Sequence, residues 1–194
     1  MGNAKKSALI VVDVQRDFCE GGALAASDTL SLLDPLQQTI EKARHAGSTI
    51  VFTRDWHPVS HGSFSPNGGP WPIHCVENTP GAELMPPIAA APGDIIIHKG
   101  IPVDGPGYSG FDATGLAAQL SQRGISDVAV TGVATEYCVR ATALDSAAAG
   151  FSTVVLEDVI RAVNANATGK ILTELKHSGV SVQTAKQWLS ALNG

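Results

Sequence analysis

Three residues of the types used in covalent catalysis occur beside strand-like segments of the chain: Asp13, Lys99 and Cys138. Cys138 lies where a β-branched run, DVAVTGV, gives way to an Ala-rich segment with helical spacing. A helix start stabilises a thiolate through its dipole, and its free N–H groups can hold an oxyanion. A carboxylate beside a lysine can accept the thiol proton and later give it to a leaving amine. Together the three residues predict a nucleophilic cysteine. Considered alone, Cys138 could also be a packed thiol, and Asp13 and Lys99 could form a structural ion pair.

A second group of residues has the composition of a metal site. Asp55 and His57 are two positions apart in DWHPVSHGSF, so both side chains point the same way if the segment is extended. His61 follows in the same segment, and His74 comes from the later WPIHC. One carboxylate with two or three imidazoles suits one divalent ion such as Zn, Fe or Mn. Because His-rich loops are often only polar, the metal site is a hypothesis at this point.

The elements that must position these residues are indicated by two alternating patterns. Nearly continuous apolar runs, typical of strands buried on both faces, predict strands at residues 7–14, 48–54, 94–100, 127–133, 152–158 and 180–184. Helical spacing, followed each time by a glycine, predicts helices near residues 30–46, 114–123, 136–149 and 168–178. This alternation predicts an α/β fold, a doubly wound parallel sheet with helices on both faces.

The predicted fold brings the candidate residues to one place. In open α/β sheets, ligands bind beyond the carboxyl ends of the strands. Asp13, Lys99 and Cys138 each end or follow a different predicted strand, and the Asp/His cluster follows another. An irregular segment at about residues 55–92, rich in Pro, Gly, His and Trp, interrupts the alternation, and such long insertions are usually functional. We therefore expect catalysis and metal binding at one sheet edge.

Composition limits the class of protein and its partners. The chain has 194 residues, 44% hydrophobic and 16% charged, with a net charge of −5, which is typical of a globular protein and argues against nucleic acid as a partner. No apolar run reaches the ~18 residues of a membrane span. We expect one domain, residues 1–194, that binds a small molecule and no membrane, with a homo-oligomer left open. Three cysteines cannot all pair, which, without a signal-peptide pattern, favours a reducing cytoplasm.

Six segments in order resemble the nicotinamidases of the isochorismatase-like cysteine hydrolase superfamily. They are VVDVQRDFCEGGAL, FTRDWHPVSHGSF, WPIHC, HKG, YSGF and GVATEYCVRATALDSAAAGF. The resemblance implies a six-stranded parallel sheet in a three-layer, Rossmann-like arrangement. It also implies hydrolysis of nicotinamide, and of pyrazinamide, through a thioester on the cysteine. The implied triad is Asp13, Lys99 and Cys138. The implied metal ligands are Asp55, His57 and His74, with His61 either a further ligand or a residue behind the ligands.

The same resemblance implies further details of the site. A cis peptide bond between Val133 and Ala134 would aim the N–H groups of Ala134 and Cys138 at the substrate oxygen. The residues expected to wall an aromatic-ring pocket are Phe18, Leu24, Trp71 and Tyr137. Two alternatives stay open: another amidohydrolase of the superfamily (an isochorismatase or a carbamoyl-amide hydrolase), or a non-catalytic binding domain. The complete Asp/His set argues against an isochorismatase, and the complete triad argues against a non-catalytic domain.

Overall fold

A computed structural model describes residues 6–105 and 107–192 of the chain. In this part of the chain the strands are β1 (Lys6–Val12), β2 (Thr49–Asp55), β3 (Ile95–Lys99), β4 (Ile125–Val133), β5 (Ser152–Arg161) and β6 (Ser181–Gln183). The α-helices are α1 (Leu30–His45), α2 (Leu116–Gln122), α3 (Arg140–Ala148), α4 (Thr168–His177) and α5 (Ala185–Leu192). None of these helices has the length and apolar composition that crossing a bilayer requires.

All six strands form one parallel sheet in the order β3-β2-β1-β4-β5-β6. The order reverses between β1 and β4, so the connections leave these two central strands in opposite directions. A crevice forms beyond the carboxyl ends of the strands at such a switch point. Val12 pairs with Thr53 on one side and with Gly132 on the other, which places the end of β1 at the centre of the crevice. The α/β fold predicted from the sequence is confirmed.

The sheet is covered by helices on both faces, which explains the continuous apolar runs. On one face, β1 residues Leu9 and Val11 share a buried cluster with residues of α1 and α5, among them Leu36. On the other face, Ile10 and neighbouring residues share a second cluster with α2, α3 and α4. Strands that are buried on both faces have no polar side to show, so their sequences do not alternate.

The structure differs from the predicted elements at functional positions. β1 ends at Val12 because Asp13 has a φ of +50°, which turns the chain out of the sheet. The helix predicted at 136–149 begins instead as a single π-helical turn, Thr135–Val139, and continues as α3. β5 runs three residues beyond its predicted end at 158, and α5 was not predicted. The segment expected to be irregular, residues 55–92, is irregular after Asp55, which ends β2, apart from two 3₁₀ turns.

Candidate active site

The ammonium group of Lys99 lies at the centre of the crevice. Its Nζ is 2.8 Å from Asp13 Oδ2, 2.6 Å from Asp55 Oδ1 and 3.4 Å from Cys138 Sγ. It also donates a hydrogen bond of 3.2 Å to the carbonyl of Gly107. The Lys99 side chain is fully buried, and a buried charge requires partners of this kind. One cation therefore joins the predicted base, the predicted nucleophile and a predicted metal ligand.

Asp13 is held by the backbone turn that ends β1. Its N–H donates to the carbonyl of Thr53 at 3.2 Å, and the Thr53 hydroxyl donates to Asp13 Oδ1 at 2.6 Å. A left-handed backbone is unfavourable for a residue other than glycine, by about 1–3 kcal/mol, and persists where its surroundings fix it. Gly132 lies alongside, and a Cβ there would lie 2.1 Å from the Val12 carbonyl oxygen. The end of β1 and β4, the strand that precedes Cys138, thus approach each other more closely than a side chain at position 132 would allow.

Cys138 lies in the π-helical turn that follows β4 and is only 6% exposed. The carbonyl of Ala134 accepts hydrogen bonds from the N–H groups of Tyr137 and Val139, at 3.1 and 3.2 Å, which closes this turn. The peptide bond between Val133 and Ala134 is cis, at the position that the family resemblance implied. Cys138 Sγ lies within 4.8 Å of an oxygen of Asp13, so the predicted base and the predicted nucleophile are neighbours in the crevice.

Burial and charge set the protonation of these groups. Burial raises the pKa of the Cys138 thiol well above its ordinary value, although the neighbouring Lys99 opposes this. Burial likewise raises the pKa of Asp13, with Lys99 again acting in the opposite direction. For Lys99, burial alone would lower the pKa, but Asp13 and Asp55 raise it well above its ordinary value. Desolvation of the buried sulfur thus favours the neutral thiol, whereas the helix start considered in the sequence favours a thiolate.

The candidate metal ligands Asp55, His57 and His74 meet beside the triad. One ligand atom from each lies within 4.8 Å of the others, and all three residues are buried. Asp55 Oδ2 is 3.4 Å from His57 Nε2, while Asp55 Oδ1 contacts Lys99. Burial alone would raise the pKa of Asp55, but Lys99 and His57 hold it well below its usual range. Asp55 is thus ionised, as a metal ligand must be.

Hydrogen bonds fix the ring orientation of two histidines. His57 Nδ1–H donates to the Gly100 carbonyl, and His74 Nδ1–H donates to the Pro72 carbonyl, both at 2.7 Å. Each ring then keeps its lone pair on Nε2, the arrangement found when a histidine binds a metal. Gly100 has a φ of +65°, and a Cβ there would lie 2.3 Å from His57 Cε1. With the Asp55 carboxylate, this donor set fits a divalent transition metal.

His61 lies beside these ligands but is held differently. Its ring centroid is 4.1 Å from that of His57. His61 Nδ1 lies 2.6 Å from the Ser63 hydroxyl and 3.3 Å from the Ser63 N–H, contacts that are compatible with either ring tautomer, and its buried Nε2 has no hydrogen-bond partner among the described residues. Burial lowers the pKa of both His61 and His74, so both rings stay neutral. His57 and His74 therefore present the tautomer of a ligand, and His61, with an unpaired Nε2 beside them, stays a candidate further ligand.

A small, partly enclosed cavity opens above Cys138. Its lining comprises Phe18, Leu24, Ala26, Asp55, Trp71, His74, Tyr108, Ala134, Tyr137, Cys138 and Val163. All four predicted pocket residues belong to this lining. Tyr108, which the prediction missed although it begins the segment YSGF, accepts a hydrogen bond from Trp71 Nε1 at 3.1 Å. The sequence did not predict that Val163 lines the cavity. Its position depends on where β5 ends, and β5 runs to Arg161 rather than to the predicted residue 158.

Two polar side chains just after β1 hold the metal cluster, and neither was predicted. Gln15 is fully buried, and its amide pairs with both backbone groups of Asp55: Nε2 donates to the carbonyl and Oε1 accepts from the N–H, each at 2.8 Å. The amide thus makes the hydrogen bonds to Asp55 that a neighbouring strand would make, because β1 ends at Val12. Asp17 Oδ2 accepts from the N–H of Cys75, next to His74, at 2.8 Å. Both residues lie in the quoted segment VVDVQRDFCEGGAL.

Comparison with known proteins agrees with this architecture. The pattern of the isochorismatase domain matches residues 7–187. The nicotinamidase/pyrazinamidase of Mycobacterium tuberculosis is 38% identical over 183 residues, which cover 90% of this chain and 97% of that protein. The solved pyrazinamidase of Pyrococcus horikoshii, in complex with zinc, is 44% identical with a TM-score of 0.89, covering 92% of this chain and 99% of that one. A solved L. infantum protein in complex with nicotinate is 36% identical with a TM-score of 0.85, covering 95% of each chain. The chain therefore belongs to the isochorismatase domain family.

Proposed function

We propose that this protein is a nicotinamidase, which hydrolyses nicotinamide to nicotinate and ammonia. The observation that carries the proposal is one cavity that has Cys138 and the metal ligands Asp55 and His74 in its lining, with aromatic walls between them. Nicotinamide has the matching groups: a flat ring, a carboxamide for the cysteine and a ring nitrogen for the metal. Relatives named nicotinamidase and pyrazinamidase, and a relative solved with nicotinate, support the assignment.

The whole chain, residues 1–194, acts as one domain in this proposal. The irregular segment at about residues 55–92 supplies metal ligands and the pocket residue Trp71, while the strand ends supply the triad. Asp55, His57 and His74 would hold the ion, with His61 either a further ligand or packed behind them. The ion supplies a Lewis acid for the ring nitrogen of the substrate. The zinc in the P. horikoshii relative supports a transition metal here.

Thioester formation begins with the neutral thiol. Asp13 accepts the proton of Cys138 as the sulfur attacks the carboxamide carbon, and backbone N–H groups of Ala134 and Cys138 stabilise the oxyanion. A buried carboxylate with a raised pKa is a stronger base than an ordinary one, which suits this step. Asp13 then gives the proton to the departing nitrogen, so ammonia leaves and the acyl group stays on sulfur.

Hydrolysis of the thioester uses the same residues in reverse. Asp13 accepts a proton from water, the hydroxide adds to the acyl carbon, and the sulfur leaves with a proton returned through Asp13. Lys99, 2.8 Å from Asp13 and 3.4 Å from Cys138 Sγ, keeps the carboxylate oriented through both halves. Nicotinate is released. Pyrazinamide has a ring nitrogen in the same relation to its carboxamide and should follow the same route.

The test is ammonia release from a set of amides. The zinc-loaded protein should hydrolyse nicotinamide and pyrazinamide, and benzamide, which lacks the ring nitrogen, should react far more slowly. Cys138→Ala serves as the control for contaminating amidases. A wild-type protein that releases no ammonia from nicotinamide, or that prefers benzamide, would show that the proposal is wrong.

A further inference from the structure

The outer wall of the cavity comes from a segment that belongs to neither the triad nor the metal cluster. This segment, residues 162–164, directly follows β5. Of the cavity-lining residues that the structure describes, only Val163 is exposed, at 38%. Val163 therefore stands at the mouth, between the bound substrate and solvent. A side chain at that position decides how much of the substrate can extend outward.

The position of Val163 is set from the nucleophile's own turn. Glu136 lies two residues before Cys138, and its carboxylate accepts from two successive backbone N–H groups, those of Val163 at 3.1 Å and Asn164 at 2.9 Å. Hydrogen bonds to an ionised acceptor are stronger than neutral ones. The mouth wall is thereby tied to the turn that carries the attacking sulfur.

The opposite side of the mouth holds the same segment. The N–H of Ser27 donates to the Ala162 carbonyl at 2.9 Å, and the Ser27 hydroxyl donates to the Val163 carbonyl at 2.7 Å. Ser27 directly follows Ala26, which also lines the cavity. Segment 162–164 thus connects the two sides of the mouth, with Glu136 on one and Ser27 on the other.

The chemistry of the substrate determines which ring atom meets this wall. In nicotinamide, one carbon, C2, separates the ring nitrogen from the carbon that bears the carboxamide, and C5 lies directly across the ring. When the nitrogen faces Asp55 and His74 and the carboxamide faces Cys138, the C2 edge lies at the cavity floor. C5 then faces the mouth and the side chain of Val163.

We propose that Val163, positioned by Glu136, limits the size of the C5 substituent on the nicotinamide ring that the enzyme accepts. The inference rests on the proposed function and deepens it by naming the substrate class: pyridine-3-carboxamides that are unsubstituted or carry only a small group at C5. Val163 is the specificity-determining residue. Glu136 is a positioning residue, which touches neither the substrate nor the reacting atoms.

The first experiment compares nicotinamide with nicotinamides that carry a methyl or an ethyl group at C5. Wild-type kcat/KM should fall as the group grows. In Val163→Ala the ethyl compound should gain at least about tenfold relative to nicotinamide, the scale of discrimination that one or two methylene groups give in an apolar pocket. Val59→Ala, at a valine that is 73% exposed and outside the cavity lining, is the matched control and should keep the wild-type ratio.

The second variant tests the role of Glu136. Glu136→Gln keeps the shape but loses the charge and one of the two acceptors. It should raise KM for nicotinamide by about threefold to tenfold and change kcat by less than about twofold, since it weakens binding equally in the ground state and the transition state. Glu157→Gln, at an exposed glutamate of β5, is the control.

The outcomes separate the inference from the function on which it rests. Suppose that the wild-type protein hydrolyses nicotinamide, but that Val163→Ala leaves the ratio of kcat/KM for the 5-ethyl compound to kcat/KM for nicotinamide unchanged. The inference is then wrong and the function stands. If Glu136→Gln lowers kcat and leaves KM unchanged, Glu136 is not a positioning residue of the mouth. If the wild-type protein releases no ammonia from nicotinamide, the proposed function fails and the inference fails with it.

Discussion

Gln15→Leu tests how strongly the metal cluster depends on a residue that binds no metal. The substitution keeps the approximate volume of a fully buried side chain and removes only its amide. That amide makes three hydrogen bonds: it donates to the carbonyls of Asp55 and Ala82, at 2.8 and 2.9 Å, and accepts from the N–H of Asp55 at 2.8 Å. β1 cannot supply these hydrogen bonds to Asp55 in place of the amide, because the chain turns out of the sheet at Asp13.

The magnitude follows from the groups left behind. One N–H and two carbonyls lose their partner, and a buried polar group without a partner costs about 1–3 kcal/mol. We expect Gln15→Leu to lose about 3–6 kcal/mol of unfolding free energy, the lower half of the summed range, because water can enter and partly replace the amide. Asp55 also loses its fixed position, so zinc affinity should fall by about 10–100-fold, the usual effect of removing a residue that orients a metal ligand.

The assay has two independent measurements. Urea unfolding of the zinc-free protein gives the change in free energy, and competition with a chromophoric chelator gives the zinc dissociation constant. Gln38→Leu, at an exposed glutamine of α1, is the matched control and should change stability by less than about 0.5 kcal/mol. A loss in Gln15→Leu of less than about 1 kcal/mol, together with unchanged zinc affinity, would refute the reasoning.

Three further predictions concern the reaction itself. Cys138→Ala should lower turnover by several powers of ten, and retention of more than about a hundredth of the wild-type rate would exclude the thioester route. Lys99→Met removes the charge that opposes the raised pKa of Asp13, so this pKa should rise further and the acid limb of the pH–rate profile should move to higher pH; an unmoved limb would make Lys99 a structural partner only. His57→Ala should lose the bound metal, measured by elemental analysis, and should raise KM for nicotinamide more than for benzamide; full activity in metal-free protein would contradict this.

The sequence was sufficient to predict which residues meet, because parallel strands bring their carboxyl ends to one edge. Asp13, Lys99 and Cys138 end or follow three different strands, and a rule about strand ends gathers them without any knowledge of side-chain geometry. The same rule could not show that Lys99 also contacts Asp55, at 2.6 Å. That contact depends on the register of β2 and β3, in which these two residues are partners.

The sequence pattern could not predict the side chains that hold backbone groups in place. Gln15 pairs with Asp55 only because Asp13 takes a left-handed conformation, and nothing in its residue type requires that turn. Glu136 reaches Val163 only because β5 runs three residues further than its apolar pattern indicated. A side chain that holds a backbone group leaves no spacing signal, because its partner can be any residue type.

The burial of Cys138 has a consequence for the lifetime of the enzyme. Peroxides and similar oxidants attack the thiolate, and the extent of damage follows thiolate character and exposure. The Cys138 sulfur is only 6% exposed, and burial raises the pKa of its thiol. At rest it therefore has little exposure and little thiolate character. We therefore expect Cys138 to react slowly with peroxides between turnovers. The same desolvation that raises the pKa of the thiol should then protect it from irreversible oxidation.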